Sequence, residues 1–159
     1  MSISKTIGID YPIFCGAMAR ITWHELVGAV SEAGGLGVLA SGGMTAEQLR
    51  EEIRQTRAMT QKPFGVNLML QMPNIPELVE VIIEEKVAVV TTGAGNPAPY
   101  IPQLKAAGVK VFPVIASVKH AKKMEAAGVD GVIAEGQEAG GHIGSVSTMS
   151  LIPQIVDAV

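Results

Sequence analysis

The sequence predicts an α/β fold in which short parallel strands alternate with helices, and three observations carry that reading. Short runs read as strands at Pro12–Gly16, Gly37–Ala40, Phe64–Leu68, Ala88–Thr92, Val111–Val114 and Gly131–Ala134. Several of these runs are nearly continuous Val, Ile, Leu and Ala, as strands buried on both faces should be. Amphipathic helical stretches fill the intervals. A weak repeat completes the pattern: Ala106-Ala107-Gly108-Val109 and Ala126-Ala127-Gly128-Val129 each precede a strand, and Glu32-Ala33-Gly34-Gly35-Leu36-Gly37-Val38 plays the same part earlier. A unit of roughly 20–27 residues suits one βα step. Right-handed crossovers between such strands give either a barrel or a doubly wound sheet.

The helices carry their own start and stop signals. Thr22 with Glu25, Thr45 with Gln48 and Asn74 with Glu77 have capping-box spacing, so each predicts a helix start. Ala33-Gly34, Ala107-Gly108 and Ala127-Gly128 put glycine just past a helix, where positive φ is needed. Leu49 and Ile53 mark a buried stripe, with Glu47, Arg50, Glu51 and Arg54 mostly around the solvent side. A sixth helix is expected to open at Ser150. Six strands are fewer than the eight of a full barrel, which needs about 250 residues, so a truncated or partial barrel is expected. No linker or composition shift marks a second domain.

Composition narrows the function classes. The net charge is −3 with no basic cluster, so a nucleic-acid partner is not expected. Apolar runs are broken by Gly, Pro or charge, so no membrane span is expected. No export signal is expected, and the single cysteine, Cys15, cannot form an internal disulfide. A cytoplasmic, reducing location is the expectation.

In βα architectures chemistry sits where strands end. Cys15-Gly16-Ala17-Met18-Ala19 follows the first strand, and its small residues let a flat ligand lie against the backbone; an ordinary tight turn reads the same way. Asn67 ends the third strand, as a turn former or as a donor and acceptor for a polar ring edge. Thr91-Thr92-Gly93-Ala94-Gly95-Asn96-Pro97 follows the fourth; it is not a P-loop, because no Gly-Lys-Ser/Thr follows. Gly35-Leu36-Gly37-Val38-Leu39-Ala40 matches a dinucleotide fingerprint but enters a strand instead of leaving one, so it is rejected. The densest segment is Glu135-Gly136-Gln137-Glu138-Ala139-Gly140-Gly141-His142-Ile143-Gly144. Four glycines there supply no core, and His142 titrates near neutrality, so it can pass a proton. His24 and His120 face no predicted strand end and read as surface residues. Glu135, Glu138 and His142 match no standard zinc spacing, so no metal site is expected.

Taken together, Pro12-Ile13-Phe14-Cys15-Gly16-Ala17-Met18, Gly65-Val66-Asn67, the Thr91–Pro97 loop and the Glu135–Gly144 segment resemble the family of nitronate monooxygenases (2-nitropropane dioxygenases) and flavin-dependent enoyl-acyl-carrier-protein reductase II. The resemblance runs over essentially the whole chain, which corresponds to about the first half of a family member. It implies a (β/α)8 TIM barrel, with residues 1–159 as the N-terminal part of a single FMN-binding domain. It also implies FMN at the barrel mouth, with Gly16, Ala17 and Met18 against the ring, Asn67 in contact with it, and Glu135, Gly140 and Gly141 lining the same cavity. His142 falls at the position of the family's active-site histidine.

The Thr91–Pro97 and Glu138–Gly144 segments look closer to the reductase. That likeness implies NADH or NADPH as reductant, an enoyl thioester or acyl-carrier-protein substrate, and a place in fatty acid synthesis. Cys15 departs from the family's common Gln, and Arg20-Ile21 from the reductase's usual aromatic such as Trp. Both departures bear on the substrate side. Two other readings stand beside this one: oxidation of alkyl nitronates with O2, and a non-catalytic barrel fragment. In the last, an open sheet edge is covered by a partner or a second copy, as in a homo-oligomer.

Overall fold

The computed structural model describes residues 2–141 and 143–159. Six strands, β1 Phe14–Cys15, β2 Leu36–Ala40, β3 Gly65–Met69, β4 Val89–Gly93, β5 Lys110–Ile115 and β6 Ile133–Ala134, form one parallel sheet in the order of the chain. Helices α1 Ile3–Ile7, α2 His24–Glu32, α3 Ala46–Met59, α4 Ile75–Glu84, α5 Ile101–Ala106, α6 Val118–Ala126 and α7 Thr148–Val156 precede, link and follow the strands.

The sheet curls. On a flat sheet β1 and β5 would stand about 19 Å apart, four strand spacings. Instead the Phe14 and Phe112 rings meet edge to face with centroids 6.2 Å apart. The unreversed strand order and this contact decide between the two architectures left open by the sequence: the strands make a half-barrel, not a doubly wound sheet.

Strand alternation sorts the core into two layers. Leu39, Val66, Leu68, Val90 and Val111 face the helices and join Val27, Leu49, Ile53, Leu78 and Ile82 in the larger cluster. Leu36, Val38, Val89 and Phe112 turn the other way, into the barrel. Ile7 and Ile9, in and just after α1, join that inner layer, so the N-terminal helix plugs the amino end of the barrel. Five residues without a repeat give no periodicity, and α1 was not legible in the sequence.

Other local expectations were revised. Thr45 and Gln48 do form a reciprocal capping box at the start of α3. Thr22 does not cap α2, whose N-cap is Trp23; its buried hydroxyl instead bonds Met18. Asn74 precedes α4 without a side-chain cap, and its amide donates to the Met44 carbonyl. The last helix opens at Thr148 behind Ser147, not at Ser150. Gly34, Gly108 and Gly128 hold the expected positive φ of 97°, 80° and 78°. The edge strands β1 and β6 are two residues each, shorter than read from the sequence, because each has one neighbour only.

Arg50 and Arg54 are not simply solvent-facing. With Arg57 they converge from α3 on Glu85, at the end of α4, with closest contacts of 3.1, 2.9 and 3.3 Å. Arg57 also donates to the Glu85 carbonyl. Burial pushes the Glu85 carboxyl up, and hydrogen bonds from Arg50 and Arg54, with their charges, outweigh it, so it sits below the usual glutamate value. A carboxyl lowered by folding stabilises the native state above its unfolded pKa, and that contribution fades as pH falls through the lowered native value. Glu85→Ala is therefore expected to cost about 2 kcal/mol at neutral pH and much less in acid. Urea unfolding of both proteins at the two pH values checks this.

Candidate functional site at the carboxyl ends of the strands

All six strands run the same way, so the segments after them share one end of the barrel. Gly16, Ala17 and Met18 follow β1, Ser41-Gly42-Gly43 follow β2, Ala94-Gly95 follow β4, and Glu135 follows β6. Ala40, Asn67 and Thr91 lie in register across β2, β3 and β4. Alternation puts Asn67 on the inner face, opposite to Val66 and Leu68, near the open end.

The Asn67 amide is fixed. Its Nδ2 donates to the Thr91 hydroxyl at 2.9 Å. Its backbone carbonyl accepts from the Ser41 hydroxyl at 2.6 Å. Among the described residues its Oδ1 has no protein donor, so one acceptor stays available at the mouth.

The glycines of this end are of three kinds, and one of them, Gly43 and Gly141, is held at positive φ of 86° and 82°. Gly95 and Gly136 are required by packing: a Cβ on Gly95 would lie 2.6 Å from Leu70, and one on Gly136 would lie 2.3 Å from the Thr148 hydroxyl. Gly16, Gly93 and Gly140 have nothing within 4 Å of that position and no positive φ. Neither packing nor conformation within the described residues calls for glycine there. Bare backbone facing open space at the strand ends is what a flat ring resting on the main chain needs, so these residues fit the flavin that the sequence reading implied.

Two residues of this end hold strained backbone. Ala94 has φ 54° and Arg20 has φ 63°, the left-handed region that side chains with a Cβ seldom occupy. Such outliers persist where surrounding contacts overdetermine them, and they concentrate at functional sites.

After β6 the chain folds back on its neighbours. The Glu135 amide donates to the Ile115 carbonyl at 2.9 Å, and the Gln137 amide to the Val146 carbonyl at 2.9 Å. The two carboxylates of this segment have different surroundings. Glu138 accepts from the Thr148 amide at 2.8 Å and from its hydroxyl at 2.6 Å, which ties the loop to the first turn of α7. Those hydrogen bonds, the hydroxyl's first, hold its carboxyl below the usual glutamate value. Among the described residues the Glu135 carboxylate has no such partner. No group of potential metal ligands occurs among the described residues. Gly140 and Gly141 are exposed in this loop. His142, the expected proton carrier, lies outside the described residues.

Of the two surface histidines, His120 is exposed, whereas His24 is half-buried and bonded to Glu52 at 3.0 Å. A recess of about 380 Å³ between the β1 and β2 loops was not anticipated; Arg20, Trp23, Gly42, Gly43, Met44 and Gln48 line it. No sequence signal joins residues so far apart. No described helix is long and apolar enough to cross a membrane.

A parallel half-barrel with an open, glycine-lined mouth at its strand ends defines a chain of a (β/α)-barrel enzyme. The model of one family, nitronate monooxygenase, matches residues 1–78 and 74–159, and the chain belongs to that family. The (3aS,4S,5R,7aS)-5-hydroxy-7a-methyl-1-oxo-octahydro-1H-indene-4-carboxyl-CoA dehydrogenase of Rhodococcus jostii is 39% identical over 99% of this chain and 45% of its own length. FabK from Thermotoga maritima superposes with a TM-score of 0.97 at 50% identity, covering 99% of this chain and 50% of that one. A nitroalkane oxidase of Streptomyces ansochromogenes gives 0.88 at 30%, covering 95% and 56%. The chain thus spans about half the length of the curated relatives it matches.

Proposed function

We propose that these residues form the N-terminal part of an FMN-binding barrel domain that reduces enoyl thioesters with NADH or NADPH. The observation that carries the flavin is the bare backbone at Gly16 and Gly93 beside the fixed Asn67 amide. The choice of substrate is supported by the 50% identity to FabK, an enoyl-acyl-carrier-protein reductase II. The name of the Rhodococcus relative also specifies a CoA thioester.

In this reading Gly16, Ala17 and Met18 support the ring, Asn67 presents its free Oδ1 and the nearby Nδ2 to the polar edge, and Glu135, Gly140 and Gly141 line the cavity. FMN held by these residues would supply hydride chemistry between a nicotinamide and an enoyl thioester. His142 donates the proton that reaches the α-carbon, or hydrogen-bonds the thioester carbonyl as negative charge develops on it. Barrels of this kind frequently hold a ligand phosphate in the loops after the seventh and eighth strands. Purified full-length protein is expected to oxidise NADH or NADPH only when a crotonyl thioester is present.

A second reading, nitronate oxidation, is favoured by the family and by the nitroalkane oxidase neighbour. Oxygen uptake with an alkyl nitronate, without NADH and without thioester turnover, would replace the first reading by this one.

A further inference from the structure

The recess between the β1 and β2 loops is built around an uncompensated cation. Thr22, 1% exposed, staples the turn at 18–22. Its hydroxyl accepts from the Met18 amide at 3.0 Å and donates to the Met18 carbonyl at 3.2 Å. The amides of Ile21 and Thr22 close on the same carbonyl, each at 3.0 Å. The Ala40 amide donates to the Thr22 carbonyl at 3.3 Å, fixing the turn to the end of β2. At the apex stands Arg20, exposed and held at φ 63°.

The neighbouring carboxylates are engaged elsewhere. His24 takes Glu25 at 3.4 Å and Glu52 at 3.0 Å. The Glu47 carboxyl is held below the usual glutamate value, first by its own backbone N–H and then by the Thr45 hydroxyl. Among the described residues Arg20 has no carboxylate partner. Beside it, Gln48 spends its Oε1 on the Thr45 amide at 2.9 Å, which leaves its Nε2 donors without a partner among the described residues. Trp23 adds an aromatic surface that is 37% exposed. Gly43, at φ 86° with nothing within 4 Å of its Cβ position, keeps the opposite wall low. An exposed arginine at the apex of a stapled turn, the Gln48 amide donors and an indole line a recess of about 380 Å³, groups suited to an anionic, tetrahedral ligand.

We infer that this recess is a phosphate-ester subsite, with Arg20 as its cation, for a ligand whose reacting end lies over Met18. The inference rests on the proposed thioester reduction. That reaction has two dissociable ligands carrying phosphate esters: the phosphopantetheine arm of the thioester and the dinucleotide reductant.

Trp23 is the one tryptophan of this sequence, so its fluorescence reports on the recess directly. In the full-length protein the signal is assigned by its loss in Trp23→Phe. Phosphopantetheine is expected to change it saturably, and pantetheine, lacking only the phosphate, to bind about tenfold more weakly. Arg20→Gly removes the charge and relieves the left-handed strain. Its Tm is therefore expected to equal or exceed the parent's, while phosphopantetheine affinity falls about tenfold. Arg20→Lys should recover part of it. A response to NADP+ that depends on Arg20, with none to phosphopantetheine, assigns the subsite to the dinucleotide. No response to either, or responses unchanged in Arg20→Gly, overturns the inference. Because binding is read without turnover, Arg20-dependent phosphopantetheine binding in a protein that reduces no enoyl thioester would leave the subsite standing and remove the reaction.

Discussion

Gly37→Ala is expected to abolish folding. Gly37 sits in β2 where α2 crosses it, and a Cβ there would lie 2.3 Å from the Val27 carbonyl oxygen and 2.7 Å from the Val27 Cα. Both are backbone atoms, so no side-chain rotation relieves the clash. Relief requires lifting α2 from the sheet and opening the contacts of Val27, which is fully buried. It also strains the bond from the Gly37 amide to the Ser31 hydroxyl, 3.1 Å and buried. Overpacking of this kind costs upward of about 3 kcal/mol, a large share of the stability of an ordinary domain. Gly93→Ala, whose Cβ meets nothing within 4 Å, is the matched control and is expected to fold. Soluble yield and thermal unfolding of the two variants decide the point.

The largest effect on activity is expected at His142. In the full-length protein His142→Ala should lower kcat for enoyl thioester reduction by about 10²–10⁴-fold, the usual contribution of a positioned acid or base. Two observables separate this from a folding defect. Bound flavin should be unchanged, because the ring is assigned to Gly16–Met18 and Asn67. Its bleaching by NADH or NADPH should also be unchanged, because that step needs no proton from the histidine. The loss then falls on the thioester half of the cycle alone. Equal loss in both halves would move His142 from proton donor to a structural part of the loop.

These expectations rest on features of unequal legibility. The capping box of Thr45 and Gln48 could be read from the sequence because both partners lie within one helical turn. The positive-φ glycines after α2, α5 and α6 were readable for the same local reason. Thr22 was misread because its partners, Met18 and Ala40, belong to a turn and a strand end that only the tertiary structure brings together. Asn74 failed likewise, its amide reaching Met44 on another loop. Runs such as Val89-Val90 announce a strand but not which residue faces the helices, since both faces are apolar. That division appeared only with the curl of the sheet.

For the mouth of the barrel, the rule that chemistry follows strand ends put Gly16 just past β1, where the structure has it, but Asn67 stands inside β3 and does not end it. The rule gave no sign that Thr91 orients Asn67, or that Glu138 is committed to α7. The arginine recess was invisible, because Arg20, Trp23, Gly43 and Gln48 converge through three separate elements.

If bare backbone at Gly16 supports a flavin ring, Gly16→Val should displace it. A Cβ there meets nothing within 4 Å among the described residues, so circular dichroism and Tm should match the parent. The full-length parent is expected to purify yellow, with flavin absorbance, and the folded variant to be colourless. A variant that retains the parent's flavin content, or a folded parent that carries none, would contradict that placement of the ring.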